Sequence, residues 1–206
     1  IDQVIRPDVR AMSAYAVADS EGFLKLDAME NPYTLPQALK VELASRLVNV
    51  ALNRYPVPSY TNLKAKICRC MGIPEGYGIM LGNGSDELIS LVAQACAPKD
   101  HPAKMIAPVP GFVMYALSAQ FAGMEFIGIP LKTDFTLDTE AMLSAIEEHR
   151  PAVVYLSQPH NPTGTLFEEK DVIRIIEAMS DKGIVISDEA YQPFAEASFM
   201  SKLPVY

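Results

Sequence analysis

From Gly78 onward, short apolar runs alternate with longer stretches of helical period, and this alternation limits the fold more than any other feature of the chain. Strands are predicted at 78–81, 104–107, 125–129, 152–156 and 184–187. Helices are predicted at 86–97, 112–122, 139–149 and 168–180. Asp138 stands where a cap of the third of these helices belongs, and Pro151 ends it. Short apolar strands joined through helices imply an α/β fold, with a mainly parallel sheet and helices on both faces.

The strands at 152–156 and 184–187 carry the polar residues of interest at their carboxyl ends. Asn161 follows the first, and Asp188 and Tyr191 follow the second. Open α/β sheets bind ligands outside the carboxyl ends of their strands. An amide, a carboxylate and a phenol on one rim could hold a planar, polar, nitrogen-containing ring.

The region before Gly78 is less regular. Residues 1–22 have weak periodicity and read as an arm lying on another surface; 24–26 read as a short strand. Glu30, Asn31, Pro32 and Tyr33 form a turn-like stretch. Pro36 suits the first turn of a helix whose stripe is Leu39, Leu43 and Leu47. Asn53 to Pro56, with a further proline at Pro58, is irregular. Leu63, Ile67 and Met71 mark another helix, which Gly72 stops. A soft boundary at 49–59 separates the arm and small helices from the sheet.

Bulk properties exclude several functions. With 206 residues, 50% of them hydrophobic, the chain can bury a core of one domain and part of a second. A net charge of -8 without a dense basic stretch argues against nucleic acid and anionic membrane as partners. An anionic ligand therefore needs local donors. The apolar region 105–121 is broken by Pro108, Pro110 and Gly111, so it predicts no membrane span. No signal peptide is predicted. The 3 cysteines, Cys68, Cys70 and Cys96, have neither zinc spacing nor a disulfide framework, as in a reducing cytoplasm. No metal site is predicted.

Gly82, Asn83, Gly84, Ser85 and Asp86 follow the first predicted strand of the sheet and open a helix. Glycines admit close backbone approach, and free N–H groups at a helix start bind anions, here one phosphate monoester. The P-loop lysine is missing, which argues against a nucleoside triphosphate. The alternative is a tight turn with Ser85 as N-cap. Asn161-Pro162-Thr163-Gly164 likewise reads as a type I turn. Asp188 ends a buried strand and needs a partner: a cationic ring nitrogen, or a helix cap or internal arginine. Phe112 and Tyr115 follow Pro110 and Gly111; an aromatic there could stack on a flat ring or serve the core. His101 and His149 read as loop or surface residues, and His160, beside Asn161, as structural or as a support behind the site residues. Glu168 and Glu169 read as a solvated first helical turn.

The spaced set GNGSDE, PGFVMY, HNPTG and DEAY resembles the pyridoxal-phosphate aminotransferases of fold type I, over essentially the whole chain. ENPY at 30–33, NRYP at 53–56 and GNGSDELI at 82–89 are similar to the members that use L-histidinol phosphate in histidine biosynthesis. The resemblance implies transamination of L-histidinol phosphate with 2-oxoglutarate by a cytoplasmic homodimer. Gly84, Ser85 and Asp86 would cradle the cofactor phosphate, and Phe112 would stack on the ring, with Tyr115 a lesser candidate. Asn161 and Tyr191 would bond the ring's phenolic oxygen, and Asp188 would keep the ring nitrogen protonated, so that the ring acts as electron sink. Tyr55 would reach the phosphate of the neighbouring subunit. Glu30 and Asn31 would line the substrate pocket.

The resemblance also implies what to look for and not find. The Schiff-base lysine belongs on a later loop, and Lys202 lies too close after Asp188 to serve. Residues 1–50 are expected to form an arm and a small-domain segment, 51–206 part of the large cofactor-binding domain, with the C-terminal small domain missing. Such a piece would not transaminate by itself. Other enzymes of the same scaffold remain open: an aromatic or broad aminotransferase, or a decarboxylase of a phosphorylated amino acid. So does a non-catalytic ligand-binding fragment.

Overall fold

In the computed structural model, which describes residues 4–12, 19, 21–25, 30–56, 59–97 and 102–206, a four-stranded sheet forms the centre. The strands are β1 (Lys104–Val109), β2 (Glu125–Pro130), β3 (Val153–Ser157) and β4 (Ile184–Asp188). Their order is β2-β1-β3-β4, and every pairing is parallel. Four of the five predicted strands are therefore present, each within two residues of its expected end. The fifth is not: residues 78–81 form no strand. Nothing among the described residues pairs with them, and a strand exists only through the ladder it shares with a neighbour.

The helices follow the predicted alternation. They are α1 (Pro7–Arg10), α2 (Gln37–Leu47), α3 (Thr61–Met71), α4 (Ser85–Cys96), α5 (Val113–Ala122), α6 (Thr139–His149) and α7 (Glu169–Ala178). Asp138 caps α6 as expected, its Oδ1 accepting from Ala141 N–H at 3.1 Å. Arg150 then turns left-handed, at φ 46°, and Pro151 follows. Gly123 closes α5 at φ 74°, and Met124 N–H reaches back to Ala119 O at 2.8 Å.

Parallel crossovers have one hand, so reversing direction across the sheet changes the face that the connecting helix covers. The chain moves from β1 outward to β2, then back across β1 to β3 and on to β4. Accordingly α5 packs on one face with α4, whereas α6 and α7 pack on the other. Strand β3 is buried along its whole length and feeds both. Val153 and Tyr155 join the α4/α5 cluster; Val154 and Leu156 join the α6/α7 cluster. Each fully buried aliphatic side chain of this kind contributes about 1.5–3 kcal/mol relative to exposure.

The described residues divide into two compact units, one of residues 1–11 with 64–206 and the other of 12–63, with the division inside α3. In the larger unit, α1 and the residues beside it lie against α5. The Arg6 guanidinium donates to Gln120 O at 2.6 Å, and Gln120 Nε2 donates to Asp8 O at 3.2 Å. Pro7 begins the short α1, where a missing N–H costs nothing.

In the smaller unit, Asn31 Oδ1 accepts from Tyr33 N–H at 2.9 Å, closing the expected turn before α2. The predicted stripe Leu39, Leu43 and Leu47 lies on α2, and all three are exposed. Leu24 and Lys25 are not in a strand. Leu26, Pro58 and His101 lie outside the described residues.

Candidate active site

The reversal between β1 and β3 is a topological switch point, where the loops leaving the two strands diverge; in open α/β sheets this is the place at which ligands bind. The segment Pro110-Gly111-Phe112 leaves β1 there, and the loop of Asn161 leaves β3. Asp188 ends β4, in register with Ser157 at the end of β3.

Asp188 meets a phenol, not an arginine. Its Oδ2 accepts from Tyr115 O–H at 2.7 Å, and its Oδ1 accepts from Ala190 N–H at 3.1 Å. Its carbonyl accepts from Gln158 N–H at 2.8 Å, carrying the ladder past the strand end. Tyr115 lies stacked on Tyr155, with centroids 4.4 Å apart and planes at 20°. It also meets the edge of Phe112 at 5.6 Å and 89°. Burial, and after it the adjacent Asp188 charge, push the Tyr115 phenol far above its ordinary range, so it stays protonated and stays a donor. Burial raises Tyr155 likewise, and its hydroxyl is buried without a hydrogen-bond partner.

The loop after β3 corrects one expectation. Gly164 N–H bonds to His160 O at 2.7 Å, a closure one residue wider than the type I turn predicted for 161–164. Side chains explain the wider loop. Ser157 Oγ accepts from Asn161 N–H at 3.2 Å, and His160 Nδ1 lies 2.9 Å from Thr163 Oγ1. His160 N–H also donates to Thr165 O at 2.8 Å. His160 is buried, with its ring 5.2 Å from that of Phe167. Burial holds its pKa down at about 4, so the imidazole is neutral at pH 7. The structural reading of His160 fits this setting.

The glycine turn differs from expectation in its cap. Gly84, at φ 83° and ψ 178°, occupies the N-cap position of α4, and Ser85 is the first helical residue. Ser85 is therefore not the cap. Glu87 reaches back instead, its Oε2 accepting from Asn83 N–H at 2.5 Å and Asn83 Nδ2 at 3.1 Å. Gly84, Ser85 and Asp86 are exposed, and a side chain at Gly84 would meet nothing within 4 Å. The positive φ is what favours glycine there. The turn is tied to the rim through helix packing: Ser90 Oγ of α4 lies 3.2 Å from Ser118 Oγ of α5, the helix that carries Tyr115.

The structure thus links Phe112 to Asp188 through Tyr115, and ties the backbone of Asn161 to Ser157, the register partner of Asp188. It puts Tyr191 three residues past Asp188, at the start of the 3-10 turn Gln192–Phe194. Tyr55, Glu30 and Asn31 belong to the unit of residues 12–63, and Tyr55 is fully exposed. The Lys202 ammonium is held at 2.7 Å by Glu169 at the start of α7. A cleft of about 550 Å³ lies between α7 and the last residues of the chain, lined by Val172, Ile176, Val185 and Phe199 among others. It contains none of the predicted site residues. Among the described residues no helix is long and apolar enough to cross a membrane, and no cluster of side chains could hold a metal ion.

Tyr155, Ser157 and Glu87 carry no role in the sequence expectations, and Tyr115 enters them only as a core residue or a lesser candidate for ring stacking, not as the partner of Asp188. The signal for the strand residues was present. Positions 153, 155 and 157 share one face of β3, and a tyrosine in an otherwise aliphatic strand brings a hydroxyl that needs a reason.

The family model for aminotransferase class I and II matches residues 21–204. Histidinol-phosphate aminotransferase 2 of Cupriavidus pinatubonensis is 59% identical over 206 residues, covering 98% of this chain and 56% of that protein. Histidinol-phosphate aminotransferase 1 of Burkholderia lata is 57% identical over 199 residues, covering 97% and 55%. The chain spans about half the length of these curated relatives. Among solved structures, the histidinol-phosphate aminotransferase of Clostridium acetobutylicum superposes with a TM-score of 0.73 at 25% identity, covering 85% of this chain and 51% of that one.

Proposed function

The chain belongs to the aminotransferase class I and II family, and from that premise we propose that it forms the cofactor-binding part of an enzyme that transfers the amino group of L-histidinol phosphate to 2-oxoglutarate. The relatives that share more than half of its residues carry that substrate in their names. The observation that carries the reading is the Asp188 carboxylate, fixed at both oxygens at the end of β4 beside a switch point.

The donor set suits pyridoxal phosphate. Asp188 would hold the ring nitrogen, and a charge-assisted hydrogen bond of that kind is worth about 1.5–3 kcal/mol. Phe112, half-buried at the mouth of α5, offers a ring face for stacking. Gly84, Ser85 and Asp86 would take the phosphate at the start of α4, where free N–H groups and the helix dipole favour an anion. Asn161 and Tyr191 would bond the phenolic oxygen. The cofactor, when bound, supplies the electron sink for bond breaking at the amino-bearing carbon. The chain's own part is to orient the ring and to keep a proton on its nitrogen through Asp188.

Residues 1–50 would form the arm and small-domain segment, and 51–206 part of the large domain. Glu30 and Asn31 would line the substrate pocket. Tyr55, with its phenol fully exposed, is available to the phosphate of a neighbouring subunit in a homodimer. Three cysteines, all free, suit a cytoplasmic protein.

Turnover of the full-length protein on L-histidinol phosphate, phenylalanine and threonine phosphate tests the substrate. L-Histidinol phosphate should be preferred, and a preference for either of the others overturns that assignment. Asp188→Ala should retain some cofactor and lower turnover by about a hundredfold, the loss of one strong charged hydrogen bond. Near-normal turnover in this variant would remove Asp188 from the reaction.

A further inference from the structure

An ionised carboxylate offers about four acceptor positions on its two oxygens. In Asp188 two bonds are in place, one on each oxygen: Tyr115 O–H on Oδ2 at 2.7 Å and Ala190 N–H on Oδ1 at 3.1 Å. Together they determine the plane of the group and leave acceptor capacity for another donor. The backbone N–H belongs to the turn itself. The phenol comes from a different element, α5, 73 residues earlier in the chain.

We propose that Tyr115 is a positioning residue, whose phenol holds the Asp188 carboxylate in the orientation that meets the ring nitrogen of the bound cofactor. The proposal rests on the reading above, in which Asp188 serves that nitrogen. The tyrosine is suited to it in three ways. Its ring is 2% exposed and clamped, with Tyr155 stacked on one face and Phe112 at an edge contact, so the hydroxyl has little freedom to wander. It touches both Phe112, which would stack on the cofactor, and Asp188, which would bond its nitrogen. One side chain therefore sets the spacing between the two. A carboxylate at a strand end has two rotatable bonds of its own, and without an opposing donor nothing else seen on Oδ2 would hold it.

This role is separate from stacking on the cofactor, because the ring has one face on Tyr155 and is only 2% exposed, so no face is open to a ligand. It is also separate from proton transfer. The phenol is a fixed donor, deep in the α4/α5 cluster, and it acts on the reaction only through the group it orients.

The test uses the full-length protein as unmodified enzyme, Tyr115→Phe and Asp188→Asn, with pyridoxamine phosphate labelled with ¹⁵N in the ring. Two quantities are read: the dissociation constant and the ¹⁵N resonance, which reports protonation of the ring nitrogen. Asp188→Asn should move the resonance toward the unprotonated position. Tyr115→Phe should move it part of the way in the same direction and weaken binding by about tenfold, the size of one hydrogen bond to a charged group. If Asp188→Asn moves the resonance and Tyr115→Phe leaves it unchanged, the proposal is overturned while the reading of Asp188 stands. If neither variant moves it, or the unmodified protein does not bind the ligand, the reading of the site itself fails and the proposal with it. A measurement on the unmodified protein guards against misfolding of the variant. With tyrosine labelled with ¹³C at Cζ, adding pyridoxamine phosphate should shift the Tyr115 signal, and an unshifted signal counts against the proposal.

Discussion

The two faces of the sheet are made by the same strands and are chemically unlike. On the α6/α7 face the cluster is aliphatic with one phenylalanine: Ile106, Val154, Leu156, Met142, Ile146, Val172, Ile175 and Phe167. On the α4/α5 face the same strands deliver Tyr155 and Ser157, and α5 adds Tyr115 and Ser118. The apolar face can only stabilise. The polar face carries hydroxyls into the interior, leads them to a carboxylate at the rim, and leaves one hydroxyl without a partner. Alternation along β3 makes both possible, because successive side chains point to opposite sides. Among the described residues, the α6/α7 face takes buried polar groups only at its margins, at Thr139 and Gln158, whereas the α4/α5 face sets a tyrosine in mid-strand and leads it to the site.

Substitutions can break that division or sharpen it. Leu156→Ala, wholly within the apolar cluster, should lower stability by about 3 kcal/mol in denaturant unfolding, with both transfer and cavity contributions. The folded variant should bind pyridoxamine phosphate with unchanged affinity; a parallel loss of binding would show that the faces are not separable. Tyr115→Phe should lower stability by less, about 2 kcal/mol, because a buried bond to a carboxylate is lost, and it alone of these changes should also disturb ligand binding.

His160 tests the rim where the faces meet, between Phe167 of one cluster and Gly111 at the entry to α5. Its folded pKa, about 4, lies below the unfolded value of 6.5. Between those values the unfolded chain binds more protons, so the stabilising contribution is present above pH 6.5 and is lost as pH falls toward 4. Urea midpoints of the unmodified protein should fall across that window, and those of His160→Gln should fall less. Equal slopes would mean that the imidazole is already charged in the fold. The smallest effect is expected for Tyr155→Phe. It removes a buried hydroxyl that has no partner, so stability should change by less than about 1 kcal/mol, in either direction. A larger loss would show that the hydroxyl is satisfied.

Much of this was readable from the residues. Apolar runs bounded by turn residues placed β1 to β4, and period and capping placed α6 from its first residue to its last. The extended stretch at 78–81 misled, because its pattern is that of a strand while strandedness depends on a neighbour that local sequence does not reveal. The 161–164 turn misled for a related reason. Asn, Pro and Gly at the right offsets predict the tightest closure, but side-chain bonds from Ser157 and His160 hold a wider one.

By itself, then, the order of residues determined the class of fold, the strand ends that bear the polar groups, and Asp188 as the carboxylate requiring a partner. These follow from local periodicity and from the cost of burying a charge, both of which act through near neighbours in the chain. Only the tertiary structure decided what that partner is. Tyr115 arrives from 73 residues away because the crossover through α5 lays it against β3 beside Asp188, and contacts made by the path of the chain through space leave no periodic trace in the sequence.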